Sequence, residues 1–113
     1  MSTDQFTRQY REAQDRVERL RNQIFEINNA RPGQSVASQK YLMKATWATL
    51  QTDMMNFDQL KETYTNEPHK IQESKKEIAR RIELIKVIQD LVSQELAQEY
   101  RAVENNQAAL AAA

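Results

Sequence analysis

Along residues 4–30, apolar side chains recur at alternating steps of four and three. They are Phe6, Tyr10, Ala13, Val17, Leu20, Ile24 and Ile27. This spacing aligns them on one helical face and is the heptad pattern of helices packed side by side. Between them stand oppositely charged residues four apart, which mark a solvated face. The pairs are Arg8 with Glu12, Arg11 with Asp15, Glu12 with Arg16, and Asp15 with Arg19. The pattern predicts a first helix over 4–30, which Pro32-Gly33 ends.

The same periodicity returns on both sides of a corner at Pro68. The apolar positions are Met43, Trp47, Leu50, Met54, Phe57 and Tyr64 before the corner, and Ile78, Ile82, Ile85, Val92, Leu96 and Val103 after it. Proline lacks an N–H and pushes the preceding residue out of the α region, so Pro68 ends the helix before it. Ser74 and Glu77 then have the spacing of a capping box that opens a new helix. We predict helices over 36–66, with Ser35 or Ser38 as the N-cap, and over 74–105.

Three helices of this length are each about 40–45 Å long at 1.5 Å per residue. Short connections make consecutive helices antiparallel, which predicts an all-α, up-down-up three-helix bundle. One domain is expected over 1–105. The Ala-rich end, 106–113, lacks an apolar pattern and is interpreted as a disordered tail or a non-native addition.

Composition narrows the function classes. Of 113 residues, 16 are basic and 16 acidic, so the chain lacks the basic excess of a nucleic-acid binder. With one Gly and two Pro it has too few turn residues for a sheet protein. No Cys is present, which excludes disulfides and thiolate metal sites. No apolar run approaches the roughly 20 residues that cross a bilayer, so we expect a soluble, monomeric chain.

The residue types that form catalytic, metal and phosphate sites in other proteins lack the neighbours that such sites require in this sequence. The single histidine, His69, follows Pro68 without the Cys, His or carboxylate partners of a metal or catalytic site. The single glycine, Gly33, excludes a Gly-rich phosphate loop. We therefore predict no metal, no cofactor and no enzymatic activity.

Two surface features leave alternatives open. Basic residues cluster around the start of the third helix: Lys70, Lys75, Lys76, Arg80, Arg81 and Lys86. They form either a contact patch for an acidic segment or anionic lipids, or a solvated face interspersed with glutamates. Apolar residues also lie beside the periodic apolar positions, which we call the seam of each helix. They are Phe25, Leu42, Met55, Leu60, Leu84, Ile88 and Leu91. They either widen the core or line an exposed groove that docks a peptide.

The residues around the corner resemble a known family. Helix two carries the apolar register of Met43 to Tyr64 with Asp53-Met54-Met55-Asn56-Phe57-Asp58, the corner reads Glu67-Pro68-His69-Lys70-Ile71, and helix three opens with Ser74-Lys75-Lys76-Glu77-Ile78. Near the amino end, Asp4-Gln5-Phe6 stands where the family has an Asp-Pro-Phe opening. Over 43–85, this pattern is similar to the N-terminal three-helix (Habc) domain of the syntaxin-6 and Tlg1 class of Qc-SNAREs.

The resemblance implies a regulatory domain of a membrane-fusion protein on the cytosolic face of the trans-Golgi network and endosomes. Such a domain binds tethering-complex subunits or other SNARE regulators, can fold back on its own SNARE helix, and reaches the membrane only through a C-terminal anchor. By the same resemblance, Asp4, Phe6 and Tyr10 are the expected partner-binding residues. Two alternatives remain: a spectrin-like or adaptor helical module, and an amphipathic membrane binder that uses the basic residues.

Overall fold

The computed structural model describes the backbone of residues 2–112 and the side chains of residues 5–105. Its elements are α1 (Ser2–Asn28), α2 (Ala37–Asn66), a 3₁₀ turn (Pro68–Lys70), α3 (Lys75–Asp90), a π-helical turn (Leu91–Leu96) and α4 (Ala97–Ala112). The last three follow one another without a break, and we call them together the third helix. The described residues contain no strand, which confirms the prediction of an all-α fold with three helices. The side chains of 106–113 lie outside the described residues, so the interpretation of that segment as a tail stays a prediction.

The entry to α2 differs from its prediction. The first backbone bond of the helix runs from Lys40 N–H to the Val36 carbonyl at 2.8 Å, which makes Val36 the N-cap. Its side chain makes no capping hydrogen bond. The assignment of Ser35 or Ser38 as the cap was therefore wrong by one or two residues. The preceding loop turns at Gly33, whose φ of 83° is one that glycine adopts without strain.

The corner at Pro68 forms where the sequence predicts it. α2 ends at Asn66, and the 3₁₀ turn begins at the proline itself. The Ser74 hydroxyl accepts a hydrogen bond from the Glu77 backbone N–H at 3.1 Å and so caps α3. The capping box is only half made, because the Glu77 carboxylate binds two arginines of its own helix instead of returning to Ser74.

The seam of α1 forms one wall of the core. Six of its seven predicted positions are buried, and the seventh, Tyr10, packs against the core partly exposed. Full burial of an aliphatic or Phe side chain contributes about 1.5–3 kcal/mol of hydrophobic stabilisation, so this wall is a major source of stability. The facing positions of α2 are Met43, Leu50, Phe57 and Tyr64.

A partly buried ion pair also joins α1 to α2. Arg16 Nη1 lies 2.7 Å from both carboxylate oxygens of Asp53. The sequence pattern predicts a pair of Arg16 with Glu12 on the same helix, and that prediction is wrong. Within residues 5–105, none of the predicted i,i+4 pairs of α1 comes within ion-pair distance. An exposed intrahelical pair gains only about 0.2–0.5 kcal/mol, too little to hold long side chains in place.

Polar side chains join α2 to the third helix. Lys61, which stands where the heptad would place an apolar residue, donates a hydrogen bond to Gln89 Oε1 at 2.8 Å. Gln89 Nε2 in turn donates to Asp58 Oδ1 at 2.7 Å. The off-pattern lysine is thereby explained: it is one end of a bridge that crosses the helix interface.

Trp47 is one of the periodic apolar positions predicted for helix two, and the structure places it half-buried at the other end of this interface. Its ring stacks on Tyr100 with the centroids 4.6 Å apart and the planes 10° from parallel. Burial, reinforced by a hydrogen bond to Glu104, raises the pKa of Tyr100 to about 12. The pair therefore combines an apolar contact with a hydroxyl that stays protonated.

The third helix departs from its predicted seam at one position within α3, and a π-helical turn follows at Leu91–Leu96. The predicted seam placed Ile82 inside, but the structure buries Arg81 and leaves Ile82 partly exposed. Further buried positions follow at Ile88, Val92, Leu96 and Tyr100, each four apart. In a regular α-helix every step of four turns the side chain about 40° away from the core. The wider π turn removes this drift.

The three helices form an elongated bundle with principal extents of 58 × 21 × 16 Å. No helix among the described residues is both long and apolar enough to span a membrane.

Candidate functional site

A groove opens where the start of α1, the end of α2 and the residue after the corner meet; we call it the amino-end groove. Its volume is about 450 Å³. It is lined by Gln5, Phe6, Gln9, Asn56, Gln59, Leu60, Thr63, Tyr64 and Ile71. A concavity of this size is within the range of ligand-binding clefts.

Of the three predicted partner-binding residues, one lines this groove. Phe6 is buried, with edge-to-face contacts to Tyr10 at 5.9 Å and Tyr64 at 6.5 Å between ring centroids. Tyr10 supports Phe6 from the next turn and contacts Phe57 at 6.4 Å. Asp4 lies outside the residues whose side chains are described. Phe6 is thus a structural part of the groove floor, and only 3 % of it is exposed to a partner.

The residue beneath the groove is Arg81, which the sequence pattern assigns to the surface basic cluster. Its side chain is only 1 % exposed. Nη1 donates a hydrogen bond to the Tyr64 hydroxyl at 3.1 Å, and the guanidinium lies 4.9 Å from the centroid of the Phe6 ring. A cation over an aromatic face is attracted to the ring quadrupole. Arg81 therefore links the third helix to both aromatic residues of the groove floor.

Two carboxylates neutralise the buried guanidinium. Glu77 Oε2 accepts a hydrogen bond from Arg81 Nε at 2.9 Å. Glu73 Oε1 lies 3.2 Å from Arg81 Nη2, as a close ion pair rather than an aligned hydrogen bond. Hydrogen bonds from Arg80 and then from Arg81 lower the pKa of Glu77 from 4.5 to about 2. Glu77 therefore stays charged near neutral pH, as a buried arginine requires.

The chemistry presented to a ligand in the amino-end groove is neutral. None of the described side chains that line it carries a formal charge, and its rim includes the amides of Gln5, Gln9, Asn56 and Gln59. An amide both donates and accepts hydrogen bonds, as a peptide backbone does. Leu60 and Ile71 add apolar surface beside the aromatic floor. The groove thus has the groups that bind an extended peptide with an apolar side chain.

The other members of the basic contact patch stay at the surface. Lys70 pairs with Glu67 at 2.8 Å and Arg80 with Glu77 at 2.7 Å, so glutamates already satisfy both. Lys75 and Lys76 are exposed, and within residues 5–105 neither has an ion-pair partner. With Lys86, which is also exposed, the six predicted cations divide into one buried, two paired and three without an ion-pair partner within residues 5–105.

The remaining predicted candidates are His69 and the apolar residues beside the seams. His69 is exposed within the 3₁₀ turn. Among the described residues, no group of three His, Cys, Asp or Glu side chains is arranged to hold a metal ion. The apolar surplus separates into Ile88, which is buried, Leu60, Leu84 and Leu91, which are partly buried, and Phe25, Leu42 and Met55, which are exposed.

The sequence does not identify Arg81 as a core residue, because an arginine between lysines and glutamates has the pattern of a solvated face. One signal was available: Arg81 stands three residues after Ile78 and four before Ile85, in line with the core positions.

No protein-family model, curated protein or solved structure matches this chain.

Proposed function

We propose that this chain is a non-catalytic docking domain, the N-terminal three-helix domain of a syntaxin-6-like SNARE. It would act in vesicle fusion and retrograde transport on the cytosolic face of the trans-Golgi network and endosomes. The observation that carries the proposal is the amino-end groove, which lies beside the Asp4-Gln5-Phe6 stretch where the resemblance expects partner binding.

We also infer that the helices run up, down and up. Residues in ascending order on α1, namely Phe6, Tyr10 and Arg16, contact residues in descending order on α2, namely Tyr64, Phe57 and Asp53. From α2 to the third helix, Tyr64 contacts Arg81, Asp58 contacts Gln89, and Trp47 contacts Tyr100. Both orders support antiparallel neighbours, the arrangement that short connections favour.

The proposed ligand is a short neutral segment of a tethering-complex subunit. An apolar side chain of this segment would lie against Leu60 and Ile71, and its backbone would bond to the rim amides. The buried Arg81 holds the floor before the ligand arrives, and such preorganisation reduces the entropy lost on binding. Since all these residues act by contact alone, the mechanism is recruitment.

Binding is tested by titrating purified tethering-complex subunits against the domain. Changing Gln9 and Gln59 to Ala removes rim hydrogen bonds without opening the core, and we expect about tenfold weaker binding. Gln98→Ala is the matched control, because Gln98 is an exposed amide on α4 that does not line the groove. Equal affinities for all three proteins would exclude the groove as the binding site.

The SNARE assignment is tested separately by the coding sequence downstream of Val103. A heptad-patterned stretch with a central glutamine, followed by an apolar anchor, would support it. A further three-helix unit would favour the spectrin-like or adaptor module instead.

A further inference from the structure

A second concave surface lies between α1 and the third helix, on a different side of α1 from the amino-end groove. It consists of two depressions of about 260 and 440 Å³ that are both lined by Arg21. From Tyr10 to Asn28 it follows α1 for roughly 27 Å at 1.5 Å per residue. We call it the α1–third-helix groove.

Apolar side chains are exposed at both ends of this groove. Val87 stands in the first depression with 57 % of its surface exposed, and Phe25 stands in the second with 67 %. Between them the floor is made by Val17 and Ile24, which are buried. A large exposed aromatic residue beside an apolar floor is typical of an interaction surface rather than of a scattered surface residue.

The charges along the groove are mostly negative. Glu18 lines the first depression, Glu99 lines the second, and Glu95 reaches Arg21 across the groove at 3.8 Å. Three carboxylates thus face one guanidinium. Within residues 5–105, no cation comes within ion-pair distance of Glu18 or Glu99. This local excess contrasts with the balanced charge of the whole chain.

We propose that the α1–third-helix groove binds a basic amphipathic helix of a partner protein and so completes a four-helix bundle. Phe25 and Val87 are the apolar anchors of the groove. Lysines or arginines that flank the apolar face of the partner helix would pair with Glu18 and Glu99. An elongated groove between two helices fits a helix laid along it better than an extended strand. A helix satisfies its own backbone hydrogen bonds, whereas an extended strand needs hydrogen-bond partners on the surface that binds it. The charge excess selects a basic partner over an acidic one.

The test uses a fluorescent synthetic peptide of about 18 residues, roughly 27 Å as a helix, with Leu at heptad positions and Lys elsewhere. A second peptide replaces each Lys by Glu. Fluorescence anisotropy gives the affinity of each peptide for the whole chain. We expect binding of the Lys peptide and at least about tenfold weaker binding of the Glu peptide. No binding of the Lys peptide, or equal binding of both, overturns the proposal.

Protein variants locate the binding site. Phe25→Gln combined with Val87→Gln removes both anchors from exposed positions and should weaken Lys-peptide binding about tenfold or more. Met55→Gln combined with Leu42→Gln changes two equally exposed apolar residues of α2 and should leave binding unchanged. If both double variants bind like the original chain, or lose affinity equally, the groove is not the site.

Sedimentation equilibrium measures the oligomeric state and so tests whether the groove is occupied by a second copy of this chain instead. We expect the original chain to be a monomer without peptide. A dimer that the Phe25→Gln and Val87→Gln variant abolishes would assign the groove to self-association and overturn the proposal.

Discussion

We expect the buried Arg81 to contribute strongly to the free energy of unfolding, and the substitution Arg81→Met tests this. Methionine keeps an unbranched apolar stem of similar reach but has no charge, so it removes the ion pairs and the hydrogen bond while retaining most of the packing. The change removes the ion pair to Glu73, the hydrogen bond to Glu77 and the donor to the Tyr64 hydroxyl.

The expected loss in the free energy of unfolding is about 3 kcal/mol. Removing one partner of a buried ion pair costs about 3–5 kcal/mol, because the other charge stays in a poorly solvated place. The lower end applies here, since Glu77 keeps its hydrogen bonds to Arg80 and is 26 % exposed. With a urea m-value of about 1.5 kcal/mol per molar, the unfolding midpoint should fall by about 2 M.

The assay is urea unfolding followed by circular dichroism and by the fluorescence of Trp47, the single tryptophan. Arg80→Met is the matched control, because Arg80 binds the same carboxylate from a largely exposed position. Its effect should be clearly smaller, since exposed ion pairs are screened by solvent. A loss below about 1 kcal/mol for Arg81→Met, or equal losses for the two variants, would refute the reasoning.

A double-mutant cycle separates the hydrogen bond from the ion pairs. Tyr64→Phe removes only the hydroxyl that accepts from Arg81. A hydrogen bond to a charged group contributes about 1.5–3 kcal/mol, so Tyr64→Phe should be destabilising by itself. It should add little when Arg81 is already methionine, which gives a coupling energy of about 1–2 kcal/mol. A coupling near zero would mean that the bond makes no net contribution.

Two further predictions concern the third helix. Hydrogen bonds from Arg80 and then Arg81 lower the pKa of Glu77 from 4.5 to about 2, so its contribution to stability is full above pH 4.5 and is lost as pH falls through about 2. Glu77→Gln should therefore flatten the acid limb of stability between pH 4.5 and 2, measured by urea unfolding at several pH values. Deleting Ser93 from the π turn should leave a regular, folded helix, whereas deleting Glu83 from α3 should prevent folding, as thermal unfolding will show.

If the acid limb of Glu77→Gln parallels that of the original chain, the carboxylate does not bind its proton more weakly in the folded state. The Ser93 deletion removes the extra residue of a wide turn, so the buried positions after it stay on the core face. The Glu83 deletion rotates everything after it by about 100°. Equal destabilisation by the two deletions would show that the π turn does not compensate the spacing.

Residues whose role depends on their own helix were predictable from the sequence. The α1 seam, the helix break at Pro68 and the Ser74 cap all follow from spacing and from the backbone chemistry of single residues, and the structure confirms each of them. Helical periodicity assigns a face to every position before any neighbour is known. The all-α, three-helix fold follows from the same information.

Residues whose role depends on another helix were not predictable. Whether Arg81 is a surface cation or a buried anchor depends on whether Tyr64 and Phe6 lie above it, and those residues are far away along the chain. Lys61 likewise gains its role from Gln89 across an interface. Long polar side chains bury or extend according to the partners within reach.

The sequence by itself therefore determined the helices, the corner between the second and third, and most of the apolar faces, because each depends on neighbours within about one helical turn. The tertiary structure alone decided the π turn of the third helix, the burial of Arg81, and the two grooves on either side of α1. Each of these depends on which side chains of separate helices come within a few ångströms, and that distance is set only when the helices pack.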